Sequence, residues 1–440
     1  MFETLRNAWK LADLRKKMLY TVMIILVFRV GAAIPVPFMV PEVLGGADIV
    51  QGGLLSYFNM LTGGAFASAT LFALGISPYI TASIIMQLLR VAIPALERLS
   101  KEGEAGQKKI ARITRYSTFG LSLVMSTAYY IMNRNLRDPE TGMSAVRYIE
   151  GFAGIFSMFV IILSFTAGAM MIVWLGEAID KRGVGNGISI ILFAGIISGG
   201  PRVVMMLRTM WVAAGTEGGA FTRYYALVPG IVIIFFGLIT AIVLMNNSER
   251  RIPIQYSKRV VGRKMYGGQS SYIPVKVMMS GVMPIIFAGA LLSIPGMISA
   301  FANPADGWFS TFLGWFDYDH AVYAILYLVL IIAFNYFYVS IQYNPIQMAN
   351  DLRKNNGAIP GIRPGKPTSD FIAKVIAKIT LVGALFLALV AVLPIIFGAI
   401  MTLPIALGGT SIIIVVSVAL DTVRSLESQM MMRHYKGFLE

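Results

Sequence analysis

Cysteine is absent from the 440 residues, and the only histidines, His320 and His434, lie far apart in the chain. Without thiols there is no disulfide framework, no thiolate metal site and no cysteine nucleophile. Charged residues make up only 13%, against about 25% in soluble domains. A chain that is 57% hydrophobic, with a mean hydropathy of +0.72, is an integral membrane protein. Catalytic signatures are missing too. There is no HExxH, no Walker A lysine loop and no Ser/His/Asp arrangement, so neither an enzyme nor a metal or cofactor site is expected. Ion-coupled carriers bury ionisable groups along their pathway. Here Glu177, Asp180 and Asp421 sit only near the ends of apolar runs, which counts against a carrier. The net charge of +15 leaves nucleic acid, anionic lipid and a ribonucleoprotein open as partners.

What is present is a series of apolar runs long enough to cross about 30 Å of hydrocarbon. Ten are expected, near residues 18–39, 68–92, 113–132, 153–175, 185–206, 226–246, 277–300, 321–343, 372–393 and 400–421. The first follows a basic start (Arg6, Lys10, Arg15, Lys16, Lys17) but ends in Ile34-Pro-Val-Pro37 without a small-residue cleavage site, so it reads as a retained span. Arg29 lies near its outer end, within reach of the headgroups. An even count puts both termini on one side. Thirty of the 37 Lys and Arg residues fall at the termini and in alternate loops, against six in the opposite loops. Basic loops are cytoplasmic, so both termini are expected in the cytoplasm. Ten spans also divide into two inverted halves of five, residues 1–215 and 216–440.

Two cytoplasmic loops exceed what a connector needs. Residues 245–276 hold seven basic residues against Glu249 alone, and residues 344–378 include the Pro- and Gly-rich stretch from Asn355 to Thr368. Such loops fix orientation and touch anionic lipid, or they dock a partner. The Gly183–Gly187 run (GVGNG) lacks the preceding strand that a phosphate cradle requires, and close helix packing is its expected use.

The most informative stretch is Phe58 to Leu89. Asn59, Thr62, Gly63, Gly64 and Ser68 interrupt the apolar residues Phe58, Met60, Leu61 and Phe66, with Ala65 and Ala67 between them, before a strongly apolar run begins. Irregular backbone at membrane depth survives only where protein or a water-filled cavity surrounds it. A re-entrant segment, roughly residues 58–67, and an ordinary external loop both fit this composition. The run FALGISPYITASIIMQLL (Phe72 to Leu89), GIRPG (Gly361 to Gly365) and GGTS (Gly408 to Ser411) resemble the SecY family, the channel subunits of the Sec protein translocase.

The resemblance implies an all-α polytopic membrane protein of ten transmembrane helices, in two inverted five-helix halves around an hourglass pore. It implies a plug at Phe58 to Phe66 and a pore ring of Ile76, Ile80, Ile188, Leu192, Ile286 and Ile414, although aliphatics on a membrane helix are by themselves more often packing or lipid-facing residues. Such a plug, made of glycines and small residues, is expected to have few contacts and to leave easily. Gln87 and Thr114 match lateral-gate positions, and Met278 stands where the family commonly has asparagine. Arg263, Lys264 and Arg363 are the expected docking residues. The implied partners are SecE- and SecG-type small subunits, the SecA motor ATPase, the ribosome, and signal sequences and nascent chains. The implied location is a bacterial inner membrane. A secondary transporter of a small solute and a structural scaffold are the alternatives.

Overall fold

In lipid a chain can satisfy its backbone only from within, so apolar runs become helices. The computed structural model describes residues 2–46, 59, 61–137, 142, 144–216, 224–256, 259–261, 264–266, 270–302, 307–316, 320–401 and 409–436. A helix stands on every expected span. In the first half these are α2 (Ala12–Gly31), α4 (Ser77–Ala92), α6 (Glu104–Asn135), α7 (Gly151–Arg182), and the pair α8 (Gly187–Ser198) and α9 (Gly200–Thr216), broken at Gly199. In the second half they are α10 (Tyr224–Asn247), α11 (Met283–Ala302), α13 (Ala321–Gln342), α15 (Lys366–Met401) and α16 (Gly409–Lys436). Four short helices complete the set: α1 (Phe2–Lys10), α3 (Pro41–Gly46), α5 (Pro94–Lys101) and α12 (Trp308–Gly314); α14 (Pro345–Lys354) follows α13.

By length and composition alone, five stretches among the described residues could cross a membrane unaided: α7, α8–α9, α10, α13 running into α14, and α15. The other spans need protein around them. α4 has 16 residues, about 24 Å of helix, and turns through 100° into α5 at the Ile93-Pro94 step. α6 buries Thr114, Thr118, Ser122 and Ser126 at four-residue spacing. Their hydroxyls bond back to the carbonyls of Ile110, Thr114, Phe119 and Ser122. Small satisfied side chains let α7 approach closely, and Ser126 meets Thr166 across the gap at 2.8 Å.

Three helices start or stop away from their expected bounds. α2 ends at Gly31, short of residue 39, because Pro35 and Pro37 cannot continue it. α4 begins at Ser77, and residues 68–76 of the expected span are turns. Pro78 lies in its first helical turn, where a missing N–H costs nothing. α11 begins at Met283 after six non-helical residues.

The two long basic loops also contain strands, which the all-α expectation did not include. β1 (Glu249–Tyr256) pairs antiparallel with β4 (Ser270–Lys276), from Glu249↔Lys276 to Gln255↔Ser270. A short hairpin, β2 (Arg259–Val261) and β3 (Lys264–Tyr266), lies between them. β5 (Gly357–Ala358), from the second long loop, adds to the free edge of β1 at Gln255↔Ala358 and Tyr256↔Gly357. Beneath the sheet, Ile252, Ile254, Val275, Leu352, Ile359, Ile372 and Ile376 form one apolar cluster. The two loops are therefore a single folded unit, held by a core of their own.

The halves touch along two seams besides the α9–α10 junction. α11 packs against α4 and α6, and α16 packs against α8 and α1. Between these seams runs the largest buried cluster of the molecule.

Candidate functional site

The six expected ring residues come from four helices. Ile76 caps the start of α4, and Ile80 follows one turn later, its N–H donating to the Ile76 carbonyl at 3.1 Å. Ile188 and Leu192 share a face of α8, Ile286 lies in the first turn of α11, and Ile414 lies in α16. Five of them are 1–9% exposed, and Ile188 is half-buried against the same cluster. That cluster also contains Ile84, Ile190, Ile285, Ile413 and Val282. It joins helices of both halves with aliphatic side chains.

Against this cluster packs the segment around Asn59–Phe66, through Leu61 and Ala65. Phe58 and Met60 fall outside the described residues. Asn59 and Leu61–Phe66 are described, and they are not loosely held. Asn59, Thr62, Ala65 and Phe66 are buried, and Leu61 packs onto the aliphatic cluster. The Asn59 carbonyl accepts from the Gly64 N–H (2.8 Å) and from the Thr62 hydroxyl (3.1 Å). The Asn59 side-chain oxygen accepts from the Ala67 N–H (2.9 Å), and the Thr62 hydroxyl oxygen accepts from the Phe66 N–H (3.1 Å). The expectation of few contacts is therefore corrected. Small residues bring the backbone close to its neighbours: a Cβ on Gly195 would fall 2.4 Å from the Leu61 carbonyl. Gly63 and Gly64 have φ of +68° and +92°, where only glycine is unstrained.

Three residues outside the motif hold this segment. The Tyr129 hydroxyl of α6 donates to the Phe66 carbonyl at 2.6 Å, and its ring packs on Phe66 (4.8 Å) and Phe165 (5.0 Å). Arg29 does not simply reach for headgroups. Its Nη1 donates to the Gly63 carbonyl at 3.4 Å; the Ser198 hydroxyl, which donates to the Gly195 carbonyl at 2.6 Å, packs against the same turn. A lone arginine in an apolar run was a signal for such a role, but nothing in the sequence marks Tyr129 or Ser198.

At the expected gate, α4 and α6 lie against α11. Gln87 donates to Ser83 Oγ on its own helix (3.4 Å) and Thr114 to the Ile110 carbonyl. Met278 precedes α11 and is buried in the aliphatic cluster, filling space as methionine does. The three residues are placed near one seam but are not bonded to one another in any described contact.

Of the expected docking residues, Arg263 lies outside the described residues, and only the backbone pairing of Lys264 with Val261 is described. Arg363 is exposed, and its carbonyl accepts from the Thr368 hydroxyl (2.9 Å). Beside it in the folded unit, the Glu249 carboxylate bonds Arg251 Nε at 2.8 Å and, with Tyr272 nearby, holds that guanidinium above its ordinary range. Gly183–Gly187 turns α7 into α8. The Gly187 N–H donates to Asp180 Oδ1 at 2.7 Å, and a Cβ on Gly187 would fall 2.0 Å from the Gly176 carbonyl. Close packing is the use of these glycines.

Known proteins agree with this geometry. The SecY family model matches residues 70–423. The chain belongs to the SecY family. Protein translocase subunit SecY of Streptomyces galbus is 41% identical over 453 residues, covering 100% of both chains. The subunits of Mycobacterium tuberculosis and Halalkalibacterium halodurans are each 40% identical, again over 100% of both chains. Among solved structures, one described as a protein conducting channel superposes with a TM-score of 0.62 at 19% identity, covering 94% of this chain and 92% of that one. Sec61 in a canine ribosome-channel complex gives 0.57 at 18% identity, with the same coverage. The fold is thus that of SecY and Sec61 channels: a polytopic helical membrane protein of two inverted five-helix halves.

Proposed function

We propose that this SecY-family chain is the pore-forming subunit of a protein translocase. It passes unfolded polypeptides across a bacterial inner membrane and releases apolar segments into the bilayer. The observation that carries the reading is the aliphatic cluster drawn from α4, α8, α11 and α16, with Leu61–Phe66 lying over it. In this reading Ile76, Ile80, Ile188, Leu192, Ile286 and Ile414 are the ring that closes around a moving chain. Such a ring offers a passing peptide no hydrogen-bonding group to hold it, so side chains of any polarity slide through. Residues 58–67 are the plug, and the seam of α4 and α6 against α11 is the lateral gate. The units 1–215 and 216–440 part like two jaws.

The basic sheet and loop unit, with Lys264, Arg263 and Arg363, is the docking face for a ribosome, whose complexes with related channels have been solved, or for a SecA-type motor. SecE- and SecG-type subunits complete the assembly, and both termini are cytoplasmic. A small-solute carrier gains no support from relatives named protein translocase subunits. The test is a photocrosslinker at Ile80 in membranes carrying a stalled secretory chain. Crosslinks to that chain are expected. A chain that is translocated yet never crosslinks to this position would overturn the reading.

A further inference from the structure

The contacts of the Asn59–Phe66 segment are unequal along its length. At the Phe66 end the hold is short and aromatic: Tyr129 Oη to the Phe66 carbonyl at 2.6 Å, with rings at 4.8 and 5.0 Å. The following stem is stitched to the loop after α2. There the Val36 N–H donates to the Ala69 carbonyl at 3.1 Å and the Leu71 N–H to the Ile34 carbonyl at 2.9 Å, with Pro35 bridged to Thr70. At the Gly63 turn, among the described residues, one long bond reaches the carbonyl, from Arg29 at 3.4 Å, while Ser198 packs beside it with its hydroxyl bonded to the Gly195 carbonyl. Arg202 leans over the neighbouring residue, with its guanidinium 3.3 Å from where a Gly64 Cβ would stand. Arg29 and Arg202 are both exposed, so water competes for these contacts, whereas Tyr129 is buried.

We propose that Arg29 is a positioning residue that latches the Gly63 turn in the shut channel, and that Phe66 on Tyr129 is the pivot about which the segment swings. Release then begins at Gly63, where the bond is long and wet, and the stem from Ala69 to Leu71 stays in place. Local opening starts where contacts are few and solvated. The positions of both arginines fit the work. Arg29 ends α2 and Arg202 starts α9, so a shift of α2 takes the donor away from the turn and a shift of α9 takes away the guanidinium packed over it. The proposal rests on reading residues 58–67 as the plug.

Because the chain has no cysteine, a single reporter thiol can be introduced into the full-length chain within its assembled translocase in liposomes. Leu61→Cys reports the latch end and Thr70→Cys the stem, each through its rate of reaction with a membrane-impermeant maleimide. In resting channels, Arg29→Gln should speed labelling of the Leu61→Cys reporter by on the order of tenfold, the scale of losing a charge-assisted bond, and leave Thr70→Cys slow. Tyr129→Phe should speed Thr70→Cys. Arg208→Gln, an equal loss of charge farther along α9, should change neither. An unchanged Leu61→Cys rate, or both reporters speeding together in the latch variant, overturns the latch. Engaging a stalled secretory chain should expose Leu61→Cys in every background. Protection that persists there would overturn the plug reading instead.

Discussion

Ile76 and Ile414 belong to helices of different halves, yet both are buried in the same aliphatic cluster. Replacing both with asparagine puts amides where water is now excluded. A wetted constriction conducts, so resting vesicles containing Ile76→Asn with Ile414→Asn should leak ions in a conductance assay while Ile161→Val, in the outer cluster, should not. Unchanged conductance would remove these two from the ring. Gly187 shows the opposite constraint. An alanine Cβ there would stand 2.0 Å from the Gly176 carbonyl, and backbone cannot yield as a flexible side chain does. Gly187→Ala should destabilise the α7–α8 packing by about 3 kcal/mol, the upper part of the range for overpacking, seen as a lower unfolding temperature in detergent. Both positions could be found from motif and glycine spacing. The residues that hold the Asn59–Phe66 segment could not, because Tyr129 and Ser198 become its neighbours only through the packing of α6 and α8 beside it.

At the scale of elements, the helices were legible and the sheet was not. Each apolar run carried its own evidence of helix, and prolines at 35, 37 and 78 account for where the ends moved. In β1 the alternation of buried Ile252 and Ile254 with exposed Arg251, Pro253 and Gln255 is a period-two signal, but Pro253 within it, like Pro274 within β4, argues against a strand. The two residues of β5 have no signal of their own and acquire strand form only by pairing with Gln255 and Tyr256, about a hundred positions earlier. Ile252→Asp should therefore act on both loops at once. A buried unpaired carboxylate costs several kcal/mol, enough to detach a sheet with so small a core. Trypsin should then cut faster at Arg353 and Lys354, in the other loop, with the transmembrane helices left intact. If cleavage there kept its original rate, the loops would be independent.

For the whole molecule, the distribution of charge and the packing of the halves have to agree on one orientation. Thirty of 37 basic residues lie at the termini and in the loops after alternate spans, and the folded sheet unit sits among them, between α10 and α11. Each such charge gains about 1 kcal/mol at an anionic leaflet, so inverting the molecule, with 30 basic residues on one side and six on the other, would forfeit more than the stability of an ordinary domain. The re-entrant segment belongs to the opposite side, since it precedes α4 and the basic α5 follows that helix. A reporter enzyme that is active only after export should consequently work when fused after Gly142, between α6 and α7, and stay silent after Lys354 or Lys436. Activity after Lys436 would turn the molecule over. It would set the basic unit outside, where neither a ribosome nor a motor could reach it, and would put the Gly63 turn on the side from which chains arrive.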